Sequence, residues 1–87
     1  MIRILISGNV QGIGFRQFVK SHANKLDIKG WVKNLSDGRV EAMFAGNQDK
    51  INKMVEVCRK GPFLAEVKGL ETKKLPAQEF KSFEIIK

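Results

Sequence analysis

The residues that could do chemistry are concentrated in one short stretch, Gly8-Asn9-Val10-Gln11-Gly12-Ile13-Gly14-Phe15-Arg16. Glycines at 8, 12 and 14 mark it as a loop, and the apolar patterns on either side put that loop between a strand and a helix. Successive backbone N–H groups in such a loop can turn inward and cradle an anion. The N-terminal end of the following helix adds partial positive charge at the same place. Arg16 falls in the first helical turn, where its planar fork can hold two phosphate oxygens. By spacing alone, a tight turn before a helix is an equal reading. Two phosphate-binding patterns are excluded. No Lys-Ser/Thr follows the glycines, so this is not a P-loop, and glycines at 8, 12 and 14 do not make G-x-G-x-x-G.

The remaining candidates are poorer. Cys58 is the only cysteine and His22 the only histidine, and they lie far apart in sequence, so a Cys–His nucleophile is not expected. Cys58 reads as a small buried hydrophobe. His22 falls on the apolar face of a helix and reads as a packing residue. Trp31, Phe44 and Phe83 read as core, and Lys20, Lys25, Lys29 and Lys33 as solvated. No paired-carboxylate block, Cys/His metal spacing or Ser-His-Asp arrangement is present, so neither a metal nor a cofactor is expected.

The elements that must hold the loop can be read from periodicity. Ile2, Ile4 and Ile6 alternate with Arg3, Leu5 and Ser7, which predicts a strand. Phe15, Phe18, Val19, His22, Ala23 and Leu26 follow at helical spacing, ending near Asp27. Residues 28–35 predict a second strand, Ser36-Asp37-Gly38 a hairpin turn, and Val40, Ala42 and Phe44 the inward face of a third. Asn47 is placed to cap a second helix, whose inward residues are Ile51, Met54, Val55 and Cys58. Gly61-Pro62 stops it. Residues 65–72 predict a fourth strand with a bulge at Gly69, and a short last strand turns Phe83 and Ile85 inward. The order β-α-β-β-α-β plus one strand implies an α+β, ferredoxin-like sandwich with an antiparallel sheet and two helices on one face. In that topology the first two strands run parallel with one strand between them. Their C-terminal ends then share an edge, roughly 10 Å apart, and the glycine loop faces Asn34 across the gap.

Gly8-x-Val10-Gln11-Gly12-Ile13-x-Phe15-Arg16 closely resembles the acylphosphatase signature. Gly30-Trp31-Val32-Lys33-Asn34, with the Asp37-Gly38 turn and Val40-Glu41, resembles the second block of that family, and Gly61-Pro62 with Ala65-Glu66-Val67 a third. The resemblance covers essentially the whole chain. It implies an enzyme that hydrolyses the carboxyl–phosphate bond of a small-molecule acyl phosphate without a metal. Arg16 would anchor the phosphate, Asn34 would position the attacking water, and the backbone of Gly8, Asn9, Val10, Gln11, Gly12, Ile13 and Gly14 would complete the phosphate site. Gly14 stands where many members carry an aromatic residue. The Val-Gln-Gly-x-Gly-Phe-Arg form also resembles the N-terminal acylphosphatase-like domain of hydrogenase-maturation carbamoyltransferases.

The bulk numbers agree. Eighty-seven residues suit one domain, 1–87, and the excess of 16 Lys+Arg over 9 Asp+Glu, a formal charge of +7, draws anionic partners. No segment approaches the ~20 apolar residues of a membrane span, and one unpaired cysteine fits a reducing compartment, so a cytoplasmic monomer without membrane or nucleic-acid partners is expected. Two other functions fit the topology. One is a phosphate-binding or regulatory domain without catalysis, which the intact Arg16 and Asn34 argue against. The other is an RNA-binding module, but Arg39-Val40-Glu41-Ala42-Met43-Phe44 lacks the stacking aromatics such modules carry on their third strand.

Overall fold

The computed structural model describes Met1–Lys87 as β1 (Ile2–Asn9), α1 (Phe15–Lys25), β2 (Lys29–Asn34), β3 (Val40–Ala45), α2 (Gln48–Lys60), β4 (Glu66–Lys74) and β5 (Phe83–Ile86). The five strands form one sheet in the order β4-β1-β3-β2-β5. The β1–β3, β1–β4 and β2–β3 pairs are antiparallel, as the ferredoxin-like reading expects.

The added strand β5 pairs with β2 in parallel and makes the sheet mixed. Connectivity explains its direction. β4 ends beside the start of β1, with Ile2 opposite Lys74, and β2 starts at that same end of the sheet. Residues 75–82 cross below that end to the far edge, so β5 enters from the end where β2 begins. Leu75 N donates to Met1 O at 3.0 Å and Gly30 N to Ser82 O at 3.0 Å, stitching the crossing at both sides.

Strand alternation sends Ile4, Ile6, Val32, Val40, Ala42, Phe44 and Phe83 to the helix side, where all are buried. Phe15, Val19 and Ala23 of α1 and Ile51, Met54, Val55 and Cys58 of α2 close over them in one core. Phe44 and Phe83 stack with ring centroids 5.9 Å apart. Removing the Cys58 thiol from water pushes its pKa up to about 12, which leaves it a protonated hydrophobe. His22 is half-buried, with Nδ1 3.0 Å from Phe18 O and its ring tilted on Phe18, a packing residue as expected.

Trp31 is a correction. It is not core: between the inward residues Gly30 and Val32 it must point away from the helices, and it is half-exposed with Lys33 Nζ 5.2 Å from its ring centroid. Lys33 is itself less free than expected, since its Nζ lies 3.6 Å from Glu41 Oε1, and Arg3 Nε donates to the other oxygen of that carboxylate. The bulge expected near Gly69 is present. Ser7 pairs with Gly69 and Gly8 with Val67, so Lys68 is the extra residue.

Candidate active site

The two helices begin in different ways. The N-terminus of α2 is capped by Asn47, whose side-chain oxygen accepts from Asp49 N at 2.9 Å and Lys50 N at 3.3 Å, and Asp49 adds a negative charge. Gly14 precedes α1 with no side-chain cap, and no acidic residue lies in the first turn. The positive end of α1 is therefore unanswered within the protein.

The loop leading to it has the same character. None of the backbone amides of Val10, Gln11, Gly12, Ile13 or Gly14 donates to another backbone carbonyl. Gly12 and Gly14 have φ of 78° and 80°, whereas Gln11 and Ile13 keep the ordinary negative φ. A nest for an anion is built from backbone of alternating hand, and the signs of φ along this loop alternate in that way. Only glycine takes those angles without strain. A Cβ at either position would meet nothing within 4 Å, so backbone conformation and not crowding requires the glycines.

A cavity of about 320 Å³ opens at this point, lined by Val10, Gly12, Gly14, Phe15, Arg16, Gln17, Asn34 and Ile85. Arg16 makes no ion pair, while Arg3, Arg39 and Arg59 each lie against a carboxylate. Asn34 ends β2 opposite Val40, and its Oδ1 is buried without a hydrogen-bond partner. The neighbouring turn does not use it. That turn is closed by Leu35 N donating to Arg39 O at 2.8 Å and Gly38 N to Leu35 O at 3.2 Å. The Asp37 carboxylate accepts from Arg39 N at 3.1 Å and Arg39 Nε at 2.8 Å. The Arg39 backbone bond, foremost, holds the Asp37 pKa below the usual carboxylate value.

The site therefore offers free amides, a helix N-terminus, an unpaired guanidinium and an uncommitted carboxamide around one opening. Amides, a helix N-terminus and a guanidinium are the groups whose chemistry suits a tetrahedral oxyanion. No three His, Cys, Asp or Glu side chains come together as a metal site.

Comparison with known proteins decides the family. The acylphosphatase family model matches residues 2–85. The chain belongs to the acylphosphatase family. An acylphosphatase of Archaeoglobus fulgidus is 45% identical over 84 residues, covering 97% of this chain and 94% of that one. Among solved structures, the acylphosphatase from Bacillus subtilis superposes with a TM-score of 0.95 at 36% identity, covering 99% and 97% of the two chains. Full-length HypF in its phosphate- and nucleotide-bound form matches with a TM-score of 0.85 at 31% identity, over 99% of this chain and 12% of HypF.

Of the residues expected at the acylphosphatase site, Val10, Gly12, Gly14, Arg16 and Asn34 line the cavity, and Gly8, Asn9, Gln11 and Ile13 do not. Gly8 and Asn9 belong to β1 and pair with β4. Gly8 is needed for that pairing: with φ of 123°, a Cβ there would lie 2.1 Å from Glu66 O. Gln17 and the apolar wall of Phe15 and Ile85 were not anticipated. Ile85 could have been found, since Val32 pairs with it two residues before Asn34. The Gln11 side chain turns away from the cavity, and its Nε2 donates to Leu35 O at 2.8 Å and Arg39 O at 2.9 Å.

Proposed function

We propose that this protein is an acylphosphatase that hydrolyses small acyl phosphates to a carboxylate and inorganic phosphate in the cavity between the 10–14 loop and Asn34. The observation that carries the reading is that Arg16, free of any carboxylate, and Asn34, with an unpartnered amide, line one opening beside unpaired loop amides.

The phosphoryl group sits on the loop amides and the α1 N-terminus, with the Arg16 fork on two of its oxygens. The Asn34 carboxamide, engaged by no other group of the protein, holds and orients a water beside the phosphoryl group. The water oxygen forms a bond to phosphorus as the bond from phosphorus to the acyl oxygen breaks. The electron pair leaves on the carboxylate, and the proton of the attacking water passes to solvent. A carboxylate departs without a strong acid. Catalysis is therefore mostly positioning and stabilisation of charge on the equatorial oxygens, which amides and a guanidinium supply. An amide is too weak a base to take the water's proton, and this reaction needs only that it aim the water. The apolar wall of Phe15 and Ile85 leaves space for the acyl group. No helix is long and apolar enough to cross a membrane. The unpaired, protonated Cys58 supports a cytoplasmic setting.

Turnover of benzoyl phosphate and acetyl phosphate, followed as phosphate release in the presence of EDTA, tests the proposal. Steady hydrolysis with competitive inhibition by inorganic phosphate is expected. Absence of turnover, or turnover that only added divalent metal restores, would overturn it.

A further inference from the structure

The Gln11 side chain carries a role that the phosphate site does not use. It lies in the loop whose Val10, Gly12 and Gly14 line the cavity, but its carboxamide reaches across to residues 24 and 28 positions later in the chain. Both acceptors are at the neck of the β2–β3 hairpin. Leu35 immediately follows Asn34, and Arg39 immediately precedes Val40, the register partner of Asn34. The clamp thus sits one residue beyond the Asn34–Val40 pair. No other hydrogen bond joins the loop to this hairpin. Beyond the neck, Ser36, Asp37 and Gly38 are exposed, so nothing further out restrains it.

We propose that Gln11 is a positioning residue: its NH₂ group ties the phosphate loop to the strand end that carries Asn34 and fixes where the Asn34 amide stands relative to bound phosphate. The inference rests on the roles proposed above for Arg16 and Asn34. The chemistry asks for a carboxamide. Two carbonyl oxygens must be satisfied by one side chain, and an NH₂ group has two hydrogens to give. Glutamate of the same length presents only acceptors, and methionine fills the space with no donor. Without the clamp, the loop and the hairpin are set separately, and a drift of about 1 Å in the water's holder is enough to cost on the order of a hundredfold in rate.

A double-mutant cycle with benzoyl phosphate tests this, using the wild type, Gln11→Met, Asn34→Ala and the double variant. kcat, the inhibition constant of inorganic phosphate and Tm are read on the same samples. A variant left partly unfolded is assayed in trimethylamine N-oxide, which restores the compact state without replacing the lost bonds. Gln11→Met should lower kcat by roughly 10- to 100-fold when Asn34 is present. It should lower kcat by less than about threefold when Asn34 is alanine, because there is then nothing to position. Phosphate inhibition should stay within about threefold in every variant, since the contacts to phosphate are untouched. Gln11→Glu should be at least as impaired as Gln11→Met. Equal losses in both backgrounds, an unchanged kcat in Gln11→Met, or phosphate affinity falling in step with kcat would each overturn the positioning role. Should Asn34→Ala alone keep the wild-type rate, the parent assignment fails and the clamp falls with it, an outcome seen in a different arm of the cycle.

Discussion

Replacing Asn34 with alanine should leave the fold as stable as before, or more stable, while abolishing most of the activity. A buried acceptor with no partner costs about 1–3 kcal/mol, and Asn34 Oδ1 is such an acceptor. Truncation removes that cost. It also removes three side-chain atoms from a half-buried position, and at about 0.1–0.2 kcal/mol per lost contact this gives back on the order of 1 kcal/mol. The hairpin is not at risk, because its turn is held by Leu35, Gly38, Arg39 and Asp37 and by the Gln11 clamp, none of which involves the Asn34 side chain. The balance lies between zero and about +2 kcal/mol. For a domain of this size each kcal/mol moves Tm by roughly 4–8 °C, so Tm should be unchanged or raised by up to about 15 °C. kcat should fall by about 10²–10³, the usual loss when one preorganised transition-state contact is removed. Phosphate inhibition should persist, because Arg16 and the loop amides remain. Thermal unfolding and turnover on one preparation decide the matter. A variant whose Tm falls by more than about 4 °C while kcat is retained would refute the reasoning and make Asn34 a structural residue.

Other consequences can be checked separately. Arg16→Lys should be severely impaired despite keeping its charge, because a point charge cannot reproduce a two-pronged contact; steady-state kcat/KM near wild type would show that only bulk charge matters. Gly8→Ala should melt roughly 5–20 °C below Gly14→Ala. The first drives a Cβ to 2.1 Å from Glu66 O, whereas the second meets nothing within 4 Å and bears only the positive-φ penalty of about 1–2 kcal/mol. Cys58 should resist thiol reagents at mildly alkaline pH until the protein unfolds. The native thiol holds its proton to about 12, while an unfolded one releases it near about 8.5. Unfolding therefore releases a proton as pH rises between those values, and stability measured by denaturant titration should decline across that window.

Much of this was legible in the sequence, for reasons that differ between elements. In α2, the residues Ile51, Met54, Val55 and Cys58, the Asn47 cap and the Gly61 stop are all local signals, and each stands where its spacing put it. The turn of the loop backbone was legible because Gly12 and Gly14 mark the positions where the chain takes positive φ. The strand order also implied that the loop meets Asn34, but other features that depend on two segments meeting were not legible. Gly8 looked like part of the loop, but its need for glycine comes from β4, whose carbonyl approaches from 58 positions later in the chain. Trp31 could have been placed outward had strand alternation been weighed against its hydrophobicity, since its neighbour Val32 is core. The Arg3–Glu41 pair and the Gln11 clamp require the β1–β3 and β2–β3 registers, which periodicity does not supply. The direction of β5 followed from where β4 ends, a property of topology and not of residues 83–86.

The most direct test of the account is to let the protein turn over benzoyl phosphate in water labelled with heavy oxygen and to locate the label by mass spectrometry. Attack of an Asn34-held water on phosphorus predicts that the label appears in inorganic phosphate and none in benzoate, at a rate that collapses together in Arg16→Ala and Asn34→Ala. Label in the benzoate would place the attack on the acyl carbon and contradict the mechanism. An undiminished rate of phosphate labelling in both variants would remove the reaction from this cavity.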